Sequence, residues 1–407
     1  MKKTVLREYA KLIAKAGANV QKGQEVFITA ELDQPEFVAM VVDECYKLKA
    51  KKVVVDWSYQ PLTKLHVRYR SVKTLSTLDN YEEARWQHYV DTIPCRIYLI
   101  SEDPDGLRGV NQEKMAKSQQ AKYPIIKGYR DQIENKYQWC IAAVPGEKWA
   151  KKLFPELRAS QAVEKLWEAI LKTSRVTDDP IKAWEDHNRD LHDRCEYLNK
   201  LHIRELRYKS SNGTDFTVGM IPEAQFCGGG ETSLQGIFFN PNIPTEECFI
   251  SPMRGVAEGI VYATKPLSYQ GQLISGFWIR FHEGKAVEWH AEENNELLTK
   301  LIEMDEGSRY LGECALVPFD SPINQTGLLF YNTLFDENAC CHLALGMGFA
   351  DTIRDFRNKT LDECRKLGVN DSMIHEDFMI GSADLSIDAV CEDGKTVAIF
   401  RNGTWAF

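Results

Sequence analysis

Apolar and polar positions alternate along the N-terminal part of the chain in a way that separates strands from helices. Apolar runs of strand length recur there, and amphipathic, charge-rich stretches of helical length lie between them. We predict strands at 26–30, 53–57, 96–100 and 139–144, and helices at 4–16 and 35–48. Because elements that alternate in this way usually build a mainly parallel sheet covered by helices, residues 1–178 are predicted to form an α/β domain.

A long amphipathic helix is predicted over residues 179–202. Its apolar side chains, among them Trp184, Leu191 and Leu198, recur near one helical face, whereas most other positions are charged or polar. We interpret this helix as the connection between the N-terminal domain and a C-terminal domain of residues 203–407.

The C-terminal part of the chain changes to short strands separated by turns. Asn212-Gly213 lies between two strand-like runs, and Asn-Gly is a preferred dipeptide of two-residue hairpin turns. Glu283-Gly284 marks a second hairpin candidate. Helices are predicted near 291–304, 337–346 and 356–367. This part is therefore predicted to be an α+β domain with a largely antiparallel sheet.

Composition and charge exclude several classes of function. Hydrophobic residues make up 43% of the 407 residues, which supports a substantial core. The net charge of −9 argues against nucleic acid as a partner, because phosphate binding needs a basic surface. No apolar run approaches the ~20 residues of a membrane-spanning helix. The 11 cysteines include no CxxC pair, which favours buried free thiols in a reducing cytosol.

A set of carboxylates and histidines in the C-terminal part suggests a metal centre. Oxygen and imidazole donors of this kind suit two divalent ions about 3–4 Å apart. Each donor lies at the edge of an apolar element, where catalytic groups are often found. Taken singly, each also fits a solvated charge or a satisfied core histidine, so only the whole set indicates a metal centre. The candidate ligands are Glu247, Glu313, Glu337, His342, His375 and Asp377.

The segment SMIHEDFMIGS has the pattern of a strand. Alternate side chains of a strand share one face, so His375 and Asp377 are predicted to point one way and Glu376 the other. An imidazole and a carboxylate two residues apart on a rigid strand can bind one ion or bridge to a second.

The other candidates are placed less clearly by their local patterns. His342 is predicted in the middle of the helix 337–346. Glu337 is five residues away and would not share a helical face with it, so it is expected to contribute from the first turn. Glu247 and Glu313 are both expected where a loop leads into a strand.

Sequence blocks along almost the whole chain resemble those of the thermophilic metalloaminopeptidases, the family of aminopeptidase T and aminopeptidase S. The opening LREYAKLIAKAGANVQKGQEVFI is similar to the start of that family. The later blocks that carry the resemblance are IPEAQFCGGGET, NPNIPTEECFISP, SPINQTGLLFYNTLFDENACCHLALG and HEDFMIGSADLSID. The resemblance implies a two-domain metallopeptidase with its metals in the C-terminal domain.

The resemblance also implies roles for the candidate residues. Glu247 would be a glutamate ligand, and Glu313 would be the ligand shared between the two ions. Glu337 and His342 would serve the second ion, and His375 with Asp377 would complete the pair. Glu313 is also the expected catalytic base, with Glu246 as the alternative. This donor set suits Zn²⁺, Co²⁺ or Mn²⁺.

A metal-dependent aminopeptidase is therefore the expected function. Such an enzyme removes N-terminal residues from peptides with broad specificity, through a water activated by two divalent metal ions. The resemblance further implies a cytoplasmic homodimer with peptide substrates, and neither nucleic acid nor a membrane is expected as a partner.

One position departs from the family pattern. The family has a tyrosine seven residues after the histidine of the HLALG block, and this chain has Phe349 there. Phenylalanine has no hydroxyl to coordinate a metal or to donate to an oxyanion. Two alternatives therefore stay open: a metal- or peptide-binding relative with weakened catalysis, and a metal hydrolase that acts on a bond other than a peptide bond.

Overall fold

A computed structural model describes residues 1–407, which form two compact units. One unit contains residues 1–188 and 230–244, and the other contains residues 189–229 and 245–407. The division falls inside the helix predicted as the connection. Residues 230–244 belong to the first unit, although they lie within the range 203–407 predicted as the C-terminal domain.

The helices and strands have the following bounds in chain order. The helices are α1 (Lys3–Leu12), α2 (Pro35–Lys47), α3 (Gln60–Tyr69), α4 (Val72–Ser76), α5 (Asn80–Thr92), α6 (Gln112–Ile133), α7 (Glu147–Leu153), α8 (Ala159–Thr173), α9 (Pro180–Lys200), α10 (Asn295–Ile302), α11 (Thr333–Asp336) and α12 (Leu361–Leu367). The strands are β1 (Glu25–Glu31), β2 (Lys52–Ser58), β3 (Cys95–Ile100), β4 (Trp139–Ala143), β5 (Ile203–Lys209), β6 (Asp215–Met220), β7 (Glu231–Thr232), β8 (Phe238–Phe239), β9 (Asn242–Ile243), β10 (Cys248–Ile250), β11 (Pro252–Tyr262), β12 (Leu267–Tyr269), β13 (Gln272–His282), β14 (Lys285–Glu293), β15 (Leu311–Leu316), β16 (His342–Gly346), β17 (His375–Met379), β18 (Ser386–Cys391), β19 (Thr396–Arg401) and β20 (Thr404–Trp405).

The first unit contains a five-stranded sheet in the order β2-β1-β3-β4-β9. All neighbouring pairs in it are parallel, so the predicted α/β class is confirmed. Strand β9 pairs with β4, which explains why the segment around it belongs to this unit.

The predicted helix at 4–16 is also present, but it ends in a π-helical turn at Ile13–Gly17. A Cβ at Gly17 would lie 2.6 Å from Sγ of Cys140, so the close approach requires glycine there.

The second unit contains two antiparallel sheets, as predicted for the C-terminal domain. The larger has nine strands in the order β12-β13-β11-β6-β5-β18-β19-β20, with β14 paired to β13. Both predicted hairpins form within it, and Gly213 and Gly284 have the positive φ angles that their turns need. The smaller sheet has the order β10-β15-β16-β17. Buried side chains such as Phe277, Leu343 and Phe378 form part of the core of this unit.

The prediction of a helix at 337–346 is wrong. Only Thr333–Asp336 is α-helical, a short 3₁₀ turn covers Glu337–Ala339, and His342 begins strand β16. Every residue of β16 is buried, and a short apolar run of this kind has no period that separates a buried strand from a buried helix. Glu313 also differs from its prediction, because it lies within β15 rather than at its start.

None of the helices is both long enough and apolar enough to cross a lipid bilayer.

Candidate metal centre

One face of the smaller antiparallel sheet carries most of the candidate ligands. In the register of β15, β16 and β17, Glu313 is opposite Ala344, and Ala344 is opposite Asp377. Residues directly opposite in antiparallel strands share a face, as do residues two apart in one strand. His342 and His375 are two residues from Ala344 and Asp377, so all of these side chains lie on the same face. The small methyl group of Ala344 leaves room for the longer side chains around it.

The two histidines bring the carboxylates into two groups. His342 Nε2 lies 3.2 Å from Glu247 Oε2, 3.8 Å from Glu313 Oε1 and 3.9 Å from Asp377 Oδ1. His375 Nε2 lies 3.2 Å from Glu313 Oε2 and 3.3 Å from Asp377 Oδ1. The ligand atoms of Glu247, Glu313 and His342 lie within 4.8 Å of one another, and so do those of Glu313, His375 and Asp377. Glu313 therefore belongs to both groups.

Glu337 reaches the same cluster from the 3₁₀ turn that follows α11. Its side chain is buried, and the charges of Asp377 and Glu247 act directly on it. All six predicted ligands are thus brought together. Glu246 precedes Glu247 and is also buried, but it belongs to neither ligand group.

Asn338 holds two of the segments that carry ligands, although it was not among the predicted site residues. Its Nδ2 donates to Glu337 Oε1 at 3.2 Å and to the carbonyl of Leu334 at 3.0 Å. Its Oδ1 accepts from the backbone N–H of Glu246 at 2.7 Å. The amide thus fixes Glu337 relative to the backbone next to Glu247. In the sequence, only its position directly after the candidate ligand Glu337 indicated that Asn338 could contribute to the site.

Backbone carbonyls orient both imidazoles. His375 Nδ1 donates to the carbonyl of Met347 at 2.8 Å, and His342 Nδ1 faces the carbonyl of Cys340 at 3.4 Å. Because a carbonyl only accepts, the proton of His375 is placed on Nδ1 and its Nε2 is left for the cluster. Outer contacts of this kind are typical of histidines that bind metals.

Burial and mutual charge shift the pKa values of the cluster. Burial raises the pKa of Glu247 and that of Glu337, and for Glu337 the nearby carboxylates raise it further. Burial alone would raise the pKa of Asp377, but the charges of the two histidines outweigh this effect and lower it. Burial would lower the pKa of His342 and of His375, yet the surrounding carboxylates raise both well above the ordinary value. Without bound cations, the cluster therefore retains protons. Metal ions that bound there would displace these protons, as they do in metal sites generally.

The cluster fits divalent metal ions on its own chemistry. Four buried carboxylates have no lysine or arginine ion pair, and the ion pairs of the cluster involve only its histidines. Asp377 Oδ1 is buried and accepts no hydrogen bond. Buried charges need partners, and carboxylate with imidazole donors are ligands for Zn²⁺, Co²⁺ or Mn²⁺.

Phe349 lies next to this cluster. Its ring centroid is 4.8 Å from that of His375 and 5.6 Å from that of Phe249. Ser251 fixes the backbone there, because its hydroxyl accepts from the Phe349 N–H at 2.8 Å. The position predicted to depart from the family pattern is therefore in direct contact with a candidate ligand.

Comparisons with known proteins agree along the whole chain. Residues 2–405 match the sequence model of a family described as thermophilic metalloprotease (M29). Aminopeptidase AmpS of Bacillus subtilis is 39% identical over 404 residues, which cover 99% of this chain and 98% of that protein. Aminopeptidase PepS of Streptococcus thermophilus is 37% identical over 403 residues, 98% of this chain and 97% of its own. The solved structure of wild-type AmpT from Thermus thermophilus is similar with a TM-score of 0.88, at 36% identity and over 100% of both chains.

Proposed function

This chain belongs to the M29 family of thermophilic metalloproteases, and we propose that it hydrolyses the N-terminal peptide bond of peptides with broad specificity. The class of enzyme, a metalloaminopeptidase, follows from the family and from full-length relatives at 36–39% identity. The proposed hydrolysis of N-terminal peptide bonds rests on one observation: two groups of candidate metal ligands share Glu313.

We propose that the site holds two divalent ions. Four carboxylates with two neutral histidines carry a charge of about −4 when fully deprotonated, and two divalent cations balance that charge. Glu247, Glu313 and His342 would hold one ion, and Glu313, His375 and Asp377 would hold the other. Glu337 would complete the set, because its carboxyl stands close to both Asp377 and Glu247.

Bound divalent ions supply an activated water and polarise the scissile carbonyl. The chain supplies a proton acceptor, for which Glu313 is the proposed residue because its two carboxylate oxygens face different histidines. Glu246 is the alternative base, since its backbone is fixed by Asn338 next to the cluster. The free amine of a peptide would bind one of the ions or a carboxylate of the site, which would favour cleavage at N-termini.

A second candidate is a relative that binds metal or peptide but catalyses weakly. It is favoured by one observation, the ring of Phe349 beside His375, where a tyrosine would present a hydroxyl. The loss of one oxyanion donor typically lowers the rate by about 10²–10³.

By resemblance to the family we propose a cytoplasmic homodimer, with zinc, cobalt or manganese as its metal. Size-exclusion chromatography with light scattering tests the dimer, and metal analysis of protein purified without added metal tests the identity of the ions.

The decisive experiment measures p-nitroaniline release from leucine p-nitroanilide. Protein stripped with a chelator is titrated with Zn²⁺, Co²⁺ or Mn²⁺, and the variant Glu313→Ala is measured in parallel. Activity that returns with metal and is absent in the variant supports the proposal. Metal binding without activity on any amide, together with turnover of p-nitrophenyl acetate, would instead indicate a hydrolase of another bond.

A further inference from the structure

A cavity of about 370 Å³ in the first compact unit is lined by residues that the proposed reaction does not use. It is formed by α3, by the turn before α6 and by the first turn of α6. Four of its lining residues are positively charged, and none is negatively charged. These cavity cations are Lys64, Arg68, Arg108 and Lys114.

The charge of the cavity cations is not neutralised by the protein. None of the four lies within 4.0 Å of a carboxylate oxygen, because the neighbouring carboxylates pair elsewhere. Asp105 lies 2.7 Å from Nζ of Lys152, and Glu113 lies 2.6 Å from Nζ of Lys117. An uncompensated group of four cations is unusual in a chain whose net charge is −9.

Hydrogen bonds fix the shape of the cavity. Lys114 Nζ donates to the carbonyl of Val67 at 2.5 Å, which ties α6 to α3. Asn111 caps α6 by accepting from the N–H of Lys114 at 2.9 Å. The N-terminus of this 22-residue helix adds its partial positive charge to that of the cavity cations. These contacts hold Lys114 and the two helices that line the cavity, whereas the side chains of Arg68 and Arg108 are exposed.

We propose that this cavity binds a small multivalent oxyanion of the phosphate class. Two arginines suit the paired oxygens of a phosphate group, and four cations exceed the charge of a single carboxylate. The volume lies within the ~300–1,000 Å³ typical of small-molecule sites. Leu65, Val67 and Val110 give the cavity an apolar part, which suits the organic portion of a phosphate monoester.

Isothermal titration calorimetry on the metal-loaded enzyme tests this site. The probes are phenyl phosphate, inorganic phosphate and acetate at constant ionic strength. The test variant combines Arg68→Gln with Arg108→Gln. The control combines Arg7→Gln with Lys22→Gln, which removes the same charge from exposed positions outside the cavity. Circular dichroism melting confirms that both variants are folded.

The expected result is one saturable site per chain for phenyl phosphate. Binding weakens by at least about tenfold in the test variant and is unchanged in the control. It also persists in Asp377→Asn, which separates the cavity from the metal centre. Tighter binding of phenyl phosphate than of inorganic phosphate identifies an organic ester as the ligand, and equal binding identifies the free anion.

Three outcomes would overturn the proposal. One is equal weakening in the test variant and the control, since only general charge would then matter. Another is an affinity for acetate that equals the affinity for inorganic phosphate. The third is loss of binding in Asp377→Asn, which would place the anion at the metal centre.

Discussion

The carboxylate of Glu313 and the imidazole of His375 lie 3.2 Å apart, oxygen Oε2 to nitrogen Nε2. The other oxygen of the same carboxylate faces His342. One glutamate thus connects two histidines that come from different strands. This geometry supports the proposal that Glu313 is shared between two ions, so its substitution should affect the binding of both.

Glu313→Gln should remove activity while the fold is kept. Glutamine preserves the shape of the side chain but lacks the charge, so it can neither take a proton nor balance two cations. We expect kcat to fall by about 10²–10⁴ and both ions to bind more weakly. Steady-state kinetics and metal analysis after dialysis measure the two effects. Wild-type metal content together with wild-type kcat would show that the glutamate is not shared.

Asp377→Asn should abolish tight metal binding, whereas the adjacent Glu376→Gln should not. The two side chains alternate across β17, and only Asp377 lies within the ligand groups. Burial and the charge of Asp377 raise the pKa of Glu376 to about 8. Glutamine therefore resembles the protonated form that this side chain mostly has at neutral pH.

Competition with a chromophoric chelator measures the metal affinity of both variants. A matched loss of affinity in Glu376→Gln would mean that the strand as a whole, rather than the face of Asp377, supports the site.

The placement of His375 and Asp377 could be predicted because a strand repeats every two residues, and this pattern is local. The helix predicted at His342 is wrong because the run Ala339 to Leu345 has no polar position other than His342 to reveal its period. The meeting of Glu313 with Asp377 across Ala344 depends on the register of three strands. That register is set by packing between segments far apart in sequence, so no local pattern contained it.

Asn338→Ala should weaken metal binding although Asn338 is not itself a proposed ligand. The substitution removes the hydrogen bonds that fix Glu337 and the backbone of Glu246. Loss of outer contacts of this kind typically lowers metal affinity by about 10–100-fold.

Asn199→Ala is the matched control for this prediction. Asn199 also donates and accepts one backbone hydrogen bond each, both with Phe226. It should reduce thermal stability without changing metal affinity. Equal effects of both variants on affinity would assign the loss to general destabilisation.

Phe349→Tyr tests whether the family tyrosine matters in this chain. The new hydroxyl would be carried by a ring that already packs beside His375. If the proposed aminopeptidase does not need a hydroxyl at this position, kcat/KM should change by less than about tenfold. An increase near 10²–10³, the scale of one oxyanion donor, would support the weakly catalytic relative. Phe249→Tyr, at the ring that contacts Phe349, serves as a control for the effect of an added hydroxyl.

Ala344→Leu should exclude metal without removing a single ligand. Ala344 is fully buried and lies between Glu313 and Asp377 in the register of the sheet. A leucine there would occupy the space in which the two carboxylates converge. Added volume in a packed core also costs about 1–3 kcal/mol of stability, so the variant needs a control of the same kind.

Ala389→Leu provides that control, because Ala389 is equally buried on β18 of the larger sheet. Thermal melts with and without added Zn²⁺ separate the two effects. Wild-type protein and Ala389→Leu should both gain stability from the metal, by about 2.7 kcal/mol for each bound ion at 100 times its Kd. Ala344→Leu should gain almost none. A full gain in Ala344→Leu would show that the ions bind away from this face of the sheet.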